Sequence, residues 1–578
     1  MEYAKSNYDL SEFSLKRISY LMIGIFFVGA ILFCKLFQTS VIEYPKYKLV
    51  ADSQRTVKKQ VYAKRGEIFA QDNAEGELYK LATGDEKYSI SVVPKNVKDK
   101  QLVAKDLAFN LSLDEKDIFD KINNNKLYVP PILHRADADL TSKIEELNLI
   151  GVLITPEDSR VYPENNLASH VLGFVNMEGE GKYGIEGYYN KELKGSNGII
   201  EGEKDALGDL ITLDSLNNLV NNGDDLVLTI DHNVQFVAEQ KLSQAIEKYS
   251  ADSGSIIVMN PKTGAILAMT GNKNFNPNKF NEVKKEDQGS FLNPTISDVW
   301  EPGSIIKPIT MAMAINEGKI EPDTTGDFSN MIKIGKYEIH TAQDKAFGHE
   351  TMTQCLENSD NVCLSWVADQ LGNESMNNYL DLFGFSKKTG IDVSGETTGF
   401  IPNLKDWRDI NRATISFGQG ISTTPLQMLT AISTIANDGK LMKPYLVDKI
   451  INGNGKEIVT NASVVREAIK KETADKVKAM MVSVVELGHG KKAKVEGYSV
   501  AGKTGTAQVP DPNGGYYTDR HVGSFAGFFP ADNPQFSMIV KLDNPKNVDW
   551  AEASAAPVFG EMASYLLGYY EIAPTQNQ

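Results

Sequence analysis

A long uncharged segment near the amino terminus limits what this chain can fold into. The residues from Ile18 to Cys34 are almost all apolar, and Leu36-Phe37 extend the apolar run past Lys35. This length is at the lower end of what crosses a bilayer as a helix. The sequence therefore predicts a membrane anchor over residues 18–38. A cleaved signal peptide is the alternative, but no small-x-small cleavage site follows the run.

The charges beside this segment do not give its orientation. Lys5, Lys16 and Arg17 precede it, within a polar tail of residues 1–17, and Lys35, Lys46 and Lys48 follow it. The excess of lysine and arginine that marks the cytoplasmic side of a membrane segment is therefore nearly balanced.

The composition excludes several classes of protein. The chain has 578 residues and a net charge of −16, which argues against a nucleic-acid binder. Three cysteines cannot form a disulfide framework. On one continuous helix, Cys355 and Cys363 would lie about 12 Å apart, so we expect them to remain unbridged. No cysteine or histidine cluster has metal-site spacing, so we expect neither a metal nor another cofactor.

Residues 39–220 predict a mixed α+β domain without catalytic chemistry. Strand-like alternation over 87–94 and helical periodicity over 140–150 are examples of its elements. The segment shows no acid–base pair and no phosphate-binding loop. We therefore interpret 39–220 as a non-catalytic pedestal, ending at the turn-forming residues 221–224.

Residues 221–578 predict an α/β layered domain. A helix is expected over 232–249, and a hairpin turns at Pro261-Lys262-Thr263-Gly264. Further strands are expected at 498–502, 524–530 and 536–543, with a final helix at about 555–569. This order fits one sheet with the first and last helices on one face and a helical block between its second and third strands.

The pattern Ser304-x-x-Lys307 is the one serine in the chain with lysine three residues later. Pro302-Gly303 is a turn signal, and helical periodicity begins at Ile305. A serine hydroxyl needs an adjacent base to act as a nucleophile, and a lysine with a lowered pKa can provide one. In isolation, however, the same pattern describes a helix-capping serine followed by a surface lysine.

Two further motifs follow in order, Ser359-Asp360-Asn361 and Lys503-Thr504-Gly505. Lys-Thr-Gly also occurs at 262–264, where a hairpin turn explains it, and at 388–390, where a helix end explains it. The copy at 503–505 ends a strand that looks buried and is followed by Thr506. The ordered set is far more specific than any one of its members.

Each motif answers a chemical need of acyl transfer. Ser304 attacks a carbonyl carbon, and Lys307 accepts its proton if burial and a neighbouring positive charge lower the pKa of the amine. Lys503 is expected to provide that charge and to hold a substrate carboxylate. Ser359 is expected to relay a proton to the leaving amine. The Asn361 side chain is expected to position Lys307 and the substrate amide.

The strand after Lys503 completes the expected site. The substrate-binding residues are Thr504, Gly505 and Thr506, and the two threonine hydroxyls are expected to bind the same carboxylate as Lys503. Backbone N–H groups of Ser304 and Thr506 are expected to form the oxyanion hole. His340, His349 and His521 are expected on the surface or in packing positions, because Lys307 already fills the role of base.

The ordered trio is a described signature of penicillin-binding proteins and class A β-lactamases. The chain resembles a class B penicillin-binding protein, a monofunctional peptidoglycan D,D-transpeptidase. The resemblance covers nearly the whole chain. Besides the trio, it rests on Arg65-Gly66-x-Ile68, Arg160-x-Tyr162-Pro163, Leu172-Gly173, Gly184-x-Glu186-Gly187, Glu301-Pro302-Gly303, 417–422, 424–427 and 555–559.

The segments Gly514-Gly515-Tyr516 and 524–534 are more similar to division-type members than to elongation-type members. Two positions depart from the family pattern. Ala70-Gln71-Asp72-Asn73 stands where the family usually has Asp-Arg-Asn-Gly, and Trp300 replaces a tyrosine or phenylalanine before Glu301.

The resemblance implies a substrate, a topology and partners. The substrate is the D-Ala-D-Ala end of a peptidoglycan stem peptide, and β-lactam antibiotics mimic it. The implied fold is a central antiparallel sheet flanked by helices. The catalytic domain lies outside the cytoplasmic membrane and the amino terminus inside. The implied partners are a membrane glycan polymerase and other cell-division proteins.

Two alternatives remain open. One is a membrane-bound β-lactam sensor or hydrolase, although sensors usually have several membrane spans and β-lactamases lack a large pedestal. The other is a division scaffold that keeps a vestigial site, although the intact trio argues against decay.

Overall fold

The computed structural model describes residues 9–72, 76–204, 210–217 and 220–574. The chain divides into two units. The first contains the residues up to 63 together with 196–221, and the second contains 64–195 and the residues from 222 onward.

The α-helices in these ranges, in chain order, are α1 Asp9–Phe37, α2 Tyr44–Arg55, α3 Lys100–Leu111, α4 Glu115–Ile122, α5 Ala138–Glu146, α6 Ser169–Leu172, α7 Gly184–Tyr188, α8 Asn190–Lys194, α9 His232–Tyr249, α10 Pro294–Ser297, α11 Lys307–Asn316, α12 Met352–Glu357, α13 Asn361–Leu371, α14 Asn373–Leu382, α15 Asp409–Ser416, α16 Pro425–Ala436, α17 Lys471–Glu486 and α18 Ala555–Tyr569.

The strands are β1 Thr56–Val61, β2 Ile68–Gln71, β3 Leu78–Val92, β4 Leu133–Ala136, β5 Val152–Val161, β6 Phe174–Val175, β7 Gly181–Lys182, β8 Gly198–Lys204, β9 Leu210–Asn217, β10 Asp225–Asp231, β11 Ser253–Met259, β12 Ile266–Gly271, β13 Thr325–Phe328, β14 Met331–Ile334, β15 Tyr337–His340, β16 Gly348–Thr351, β17 Lys440–Met442, β18 Val447–Ile451, β19 Glu457–Val459, β20 Val464–Glu467, β21 Ala501–Pro510, β22 Tyr516–Phe529 and β23 Phe536–Asp543.

The first unit contains the apolar helix and a small sheet. Within the helical segment Leu15–Ile42, a stretch of 18 residues has a mean hydropathy of 2.2 and none of it is buried, so the segment is long and apolar enough to cross a membrane. It contains the predicted anchor at 18–38, although α1 already begins at Asp9. β8 pairs antiparallel with both β1 and β9.

In the second unit, the pedestal shares a sheet with the chain that follows it. The strand order is β19-β18-β10-β2-β3-β4, and β5 also pairs with β3. β10 runs parallel to β2, with Leu226 opposite Ile68, and antiparallel to β18. The turn-forming residues 221–224 were predicted to separate two domains, but the strand directly after them completes the pedestal sheet.

A buried ion cluster supports the pedestal beside this sheet. The Glu186 carboxylate accepts hydrogen bonds from Arg65 Nε at 2.8 Å and from Arg160 Nε at 2.6 Å, and Tyr162 donates to it at 3.2 Å. Burial raises the pKa of Glu186, but Arg160 and Arg65 outweigh that effect and hold the pKa below its usual range. Three of the four pedestal motifs that carry the family resemblance, those at Arg65, Arg160 and Glu186, therefore meet at this buried carboxylate.

The C-terminal part of the second unit is built on a five-stranded antiparallel sheet of order β12-β11-β23-β22-β21. α9 and α18 pack on one face with Phe525 and Val540, and α11 and α16 pack on the other with Phe528 and Ile539. The predicted α/β layering, strand order and outer helices are confirmed. β21 extends from 501 to 510, so Lys503-Thr504-Gly505 lies inside the strand and not at its end.

The expectation for the cysteines was wrong. Cys355 and Cys363 form a disulfide, with their Cα atoms 6.1 Å apart. The 12 Å estimate assumed one continuous helix, but α12 ends at Glu357 and α13 begins at Asn361. Between them Ser359 adopts a left-handed conformation with φ of 56°, which turns the second helix back toward the first.

Candidate functional site

Ser304 and Lys307 are placed on one side of a helix start. The residues Gly303–Ile306 form a 3-10 turn that runs directly into α11. A 3-10 helix has three residues per turn, so residues three apart are in register along its axis. The predicted pairing of serine and lysine therefore depends on this tight turn and not on an ordinary α-helix.

A glycine-rich loop holds the 3-10 turn from outside. Gly303 has φ of +55° and donates its N–H to the Gly418 carbonyl at 3.1 Å. A Cβ atom at Gly418 would lie 2.3 Å from the Gly303 carbonyl oxygen, so only glycine allows this approach. The Glu301 carboxylate accepts from Gly420 N and from Tyr516 Oη, both at 2.9 Å. These contacts fix the residues directly before Ser304.

The Lys307 amine meets the second motif. Its Nζ donates to the Ser359 carbonyl at 2.7 Å and to Asn361 Oδ1 at 2.8 Å, and it lies 3.1 Å from Ser359 Oγ. Burial lowers the pKa of Lys307 well below its usual value, and the positive charge of Lys503 lowers it further, while Asp360 acts in the opposite direction. Lys307 is therefore set up to be a neutral amine.

The hydrogen-bond geometry suits that neutral form. A neutral amine has two N–H groups and one lone pair, and the Ser359 carbonyl and Asn361 Oδ1 can only accept. With both N–H groups occupied, the lone pair remains free for a hydroxyl proton. Within the described ranges no hydrogen bond joins Ser304 to Lys307, and catalytic contacts of this kind commonly tighten only when substrate binds.

The turn that carries Ser359 and Asn361 is fixed at several points. Asp360 caps α13 by accepting from Val362 N at 2.6 Å and Cys363 N at 3.0 Å. The Asn361 amide donates to the His340 carbonyl at 3.0 Å. Together with the Cys355–Cys363 disulfide, these contacts leave the turn little freedom.

A second acid lies beneath this turn. Glu350 is buried and accepts a hydrogen bond from the Asn358 amide. Burial raises the pKa of Glu350 to about 7, and burial also raises the pKa of Asp360. Two neighbouring carboxyl groups of this kind favour the sharing of one proton.

The third motif faces the 3-10 turn from β21. Lys503 is fully buried, and its Nζ donates to the Thr504 carbonyl at 3.1 Å. Burial lowers the pKa of Lys503 to about 7, against the opposing charge of Glu552. The Thr506 hydroxyl accepts from Ala551 N at 3.0 Å, so its own proton is free to be donated.

Gly505 has a packing role that its motif did not reveal. A Cβ atom there would lie 2.8 Å from Ile305 Cγ2 and 2.7 Å from Ser524 Oγ. Real Cβ atoms do not approach other atoms so closely, so a side chain would push β21 away from the 3-10 turn. The predicted role of Gly505 in substrate binding stays a prediction; in the structure its lack of a side chain lets β21 pack directly on Ile305 of the 3-10 turn.

These elements enclose a cleft of about 720 Å³. Five of the predicted site residues line it: Ser304, Ser359, Asn361, Thr504 and Thr506. The other three are buried behind its wall: Lys307, Lys503 and Gly505. The structure therefore brings the three sequence motifs together around one cavity.

Several residues of the cleft carried no sequence signal. They are His340, Phe347, Arg520, His521, Trp550 and Glu552. His340 and His521 were expected on the surface or in packing positions, and the cleft wall was not considered for them. Arg520 lies 4.5 Å over the ring of Tyr517, and His489 lies 3.2 Å from Glu552. The strand-alternation pattern alone could have placed Arg520 and His521 on opposite faces of β22 but not beside Ser304.

Comparison with known families gives two matches. Residues 254–564 match the penicillin-binding protein transpeptidase domain, and residues 60–228 match the penicillin-binding protein dimerisation domain. Stage V sporulation protein D of Bacillus subtilis is 33% identical, over 89% of this chain and 79% of its own length. Peptidoglycan D,D-transpeptidase FtsI of Escherichia coli is 31% identical, over 81% of this chain and 76% of its own.

Solved structures show the same architecture. A peptidoglycan synthetase from Bifidobacterium adolescentis has a TM-score of 0.73 and 26% identity, covering 91% of this chain and 98% of its own. Penicillin-binding protein 3 of Mycobacterium tuberculosis in complex with ampicillin has a TM-score of 0.70 and 26% identity, covering 90% and 98%. With its paired dimerisation and transpeptidase domains, the chain belongs to the penicillin-binding protein family, as its motifs predicted.

Proposed function

We propose that the protein is a peptidoglycan D,D-transpeptidase that cross-links stem peptides through an acyl-enzyme on Ser304. The observation that carries this proposal is the environment of Lys307, a buried amine held by Ser359 and Asn361 beside a second buried lysine. Such an amine is the base that a serine nucleophile requires.

Acylation uses the three motifs together. Ser304 Oγ attacks the carbonyl carbon of the penultimate D-alanine while its proton passes to Lys307. Backbone N–H groups of Ser304 and Thr506 hold the negative oxygen of the tetrahedral intermediate. The C–N bond then breaks, and the leaving D-alanine amine takes a proton by way of Ser359, whose hydroxyl lies 3.1 Å from Lys307 Nζ.

The second half of the reaction, deacylation, uses the same proton path in reverse. An amine of a neighbouring stem peptide attacks the acyl-ester and gives up a proton, a new amide forms, and Ser304 regains its proton. Lys503, with the hydroxyls of Thr504 and Thr506, holds the terminal carboxylate of the donor peptide. β-Lactams carry a carboxylate in a comparable place and leave an ester on Ser304 that hydrolyses slowly.

The substrate sets the topology that we propose. Residues 18–38 anchor the protein, the tail 1–17 is cytoplasmic, and the pedestal 39–220 and transpeptidase domain 221–578 lie outside the membrane, where peptidoglycan is assembled. In that position the protein can work with a membrane glycan polymerase and with cell-division proteins, and septal synthesis is the role we favour.

The similarity to Stage V sporulation protein D supports a second candidate role, the same cross-linking reaction during sporulation. Depletion in the native cell separates the two roles. Filamentous cells that fail to divide support septal synthesis, whereas normal division with defective spores supports the role in sporulation.

Covalent labelling with a fluorescent penicillin tests the enzyme assignment. The full-length protein in detergent should retain label through denaturing electrophoresis, Ser304→Ala should retain none, and Ser463→Ala, an exposed serine far from the motifs, should label like wild type. Unlabelled wild-type protein would rule out the acyl-enzyme. Rapid loss of the label would indicate a hydrolase, and labelling without cross-linking of stem peptides would indicate a scaffold.

A further inference from the structure

A second cavity of about 500 Å³ lies on the C-terminal sheet, apart from the cleft at Ser304. It is formed by the ends of β11 and β12, by β23 and by residues 286–298. Its lining and that of the cleft at Ser304 have no residue in common.

The cavity lies on the same face of the sheet as the 3-10 turn. Ser255 of β11 pairs with Lys541 of β23, Lys541 pairs with Ser524 of β22, and Ser524 pairs with Gly505 of β21. Directly paired residues point to the same face of a sheet. Gly505, which packs on the 3-10 turn of Ser304, therefore lies in the same row as Ser255 and Lys541. Those two residues line the second cavity.

Trp300 lies between the second cavity and the 3-10 turn of Ser304. The Lys541 amine lies 5.5 Å over the ring of Trp300, and Trp300 precedes Glu301-Pro302-Gly303-Ser304 in the chain. Trp300 also exchanges backbone hydrogen bonds with Thr423, at 3.1 and 3.0 Å. The second cavity thus borders the segment that holds the nucleophile.

The cavity has an excess of negative charge. Lys541, almost fully buried, forms an ion pair with Asp543. Asp298 opens into the same space, where the surrounding protein and the charge of Asp543 raise its pKa while Lys541 lowers it. Lys273 also lowers the pKa of Asp298, so two ammonium groups lie near the carboxylates of Asp298 and Asp543. The lining also contains Glu286 and Asp287 but no third lysine or arginine, so as a whole it is short of positive charge.

A buried hydroxyl in the lining also lacks a partner. Ser255 is 2% exposed, and its Oγ makes no hydrogen bond to any residue that the structure describes. Buried hydroxyl groups are normally satisfied, since leaving one without a partner costs free energy. A ligand that donates a hydrogen bond would satisfy this oxygen and balance the carboxylates in one step.

We propose that this cavity binds a primary ammonium group, which donates to Asp298, Asp543 and Ser255. An ammonium group has three donors and no acceptor, and this matches three acceptor oxygens with excess negative charge. If the protein is the transpeptidase proposed above, the free side-chain amine of an uncross-linked stem peptide is one source of such a group. A free amino acid or diamine is the other.

Calorimetry on full-length protein in detergent tests this site with the cleft blocked. Ser304 is first acylated with penicillin, and the protein is then titrated with an N-acetylated tripeptide that contains a lysine, with the same peptide acetylated at Nε, and with free L-lysine. We expect the peptide with a free Nε to bind at least about tenfold more tightly than its acetylated form, because a charged hydrogen bond is lost. Tighter binding of free lysine than of the peptide identifies the small amine as the source.

Variants locate the site. Asp298→Asn should weaken binding of the amine by about tenfold and leave the rate of penicillin labelling unchanged, which also shows that the variant folds. Asp532→Asn, an exposed aspartate elsewhere, should change neither. Equal affinity for the free and acetylated peptides, or an unchanged affinity in Asp298→Asn, would overturn the proposal.

The comparison of the free and acetylated peptides uses wild-type protein. It therefore tests the proposal even if Asp298→Asn does not fold. If penicillin fails to label wild type, the proposed transpeptidase function fails by itself, and the same titrations on Ser304→Ala still decide on the ammonium site.

Discussion

Cys355 and Cys363 are joined by a disulfide across the turn that holds Ser359 and Asn361, the two residues in contact with the Lys307 amine. Both cysteines are fully buried. The cross-link therefore fixes the distance between α12 and α13 at the point where the Lys307 amine is held.

Removal of this cross-link should reduce both stability and acylation. A disulfide that closes a short loop contributes about 2–3 kcal/mol by restricting the unfolded chain. We expect the Cys355→Ala/Cys363→Ala protein to unfold at a lower temperature and to react more slowly with penicillin, because Ser359 and Asn361 hold Lys307 less firmly. Thermal unfolding and the second-order rate of labelling measure the two effects.

The free cysteine provides the control for that experiment. Cys34 lies in the apolar helix and forms no disulfide, so Cys34→Ala should match wild type in both measurements. If the double variant acylates at the wild-type rate, the cross-link supports the fold but not the site.

The rate of acylation should rise with pH up to a maximum and then fall. Lys307 must be neutral to accept the serine proton, so the rate rises as pH increases through its lowered pKa. Lys503 must be protonated to hold a carboxylate, so the rate falls as pH rises above about 7. The second-order rate of penicillin labelling reports the free enzyme. A rate that stays level above pH 7 would contradict the role of Lys503.

Glu552 should set the position of the alkaline side of that profile. Its negative charge raises the pKa of Lys503, against the larger effect of burial. In Glu552→Gln the pKa of Lys503 should fall further, and the decline in rate should begin at lower pH. Glu561→Gln, which removes a carboxylate that pairs with Lys241 on the surface, should leave the profile in place.

A methyl group at Gly505 should slow labelling strongly without removing any side chain of the proposed site. Its Cβ would lie within 3 Å of both Ile305 and Ser524, so Gly505→Ala should separate β21 from Ser304 and slow labelling by at least about a hundredfold. Gly568 in α18 has open space around the same position, and Gly568→Ala should be tolerated. Normal labelling of Gly505→Ala would show that the strand can shift without cost.

The pedestal should depend on Glu186. Glu186→Ala leaves Arg65 and Arg160 without their buried carboxylate, and loss of one partner from a buried ion pair costs about 3–5 kcal/mol. Glu180→Ala breaks a pair with Lys194 whose side chains are 39% and 47% exposed, and it should cost less than about 1 kcal/mol. Chemical unfolding compares the two variants. Equal losses would mean that the cluster is no more important than a surface pair.

Local patterns predicted the central sheet of the C-terminal part and its two outer helices. The helices 232–249 and 555–569 agree with α9 and α18 to the residue, because strong periodicity and clear end signals coincide there. The three motifs named Ser304, Lys307, Ser359, Asn361 and Lys503 because each combines a rare spacing with a chemical need. The roles that we give these residues await the experiments above.

The features that were missed depend on where chain segments meet. The disulfide follows from a break between α12 and α13 at Ser359, and nothing in the residues around Ser359 marks that left-handed turn. Trp550 and Glu552 reach the cleft from the loop after β23, far in sequence from Ser304. The tertiary fold decides which distant segments meet. Periodicity and turn signals describe only local structure, so they could not predict these contacts.

The shared sheet of the pedestal gives a different view of the two parts of this chain. The dimerisation match ends at residue 228, in the middle of β10, which joins β2 on one side and β18 on the other. A cut at residue 221 would strip β10 of its neighbour β2 and expose a row of unpaired backbone groups, the usual template for aggregation. The end of the family match and the edge of the folded sheet therefore differ here: β10, which begins the transpeptidase part, needs β2 of the pedestal to satisfy its backbone.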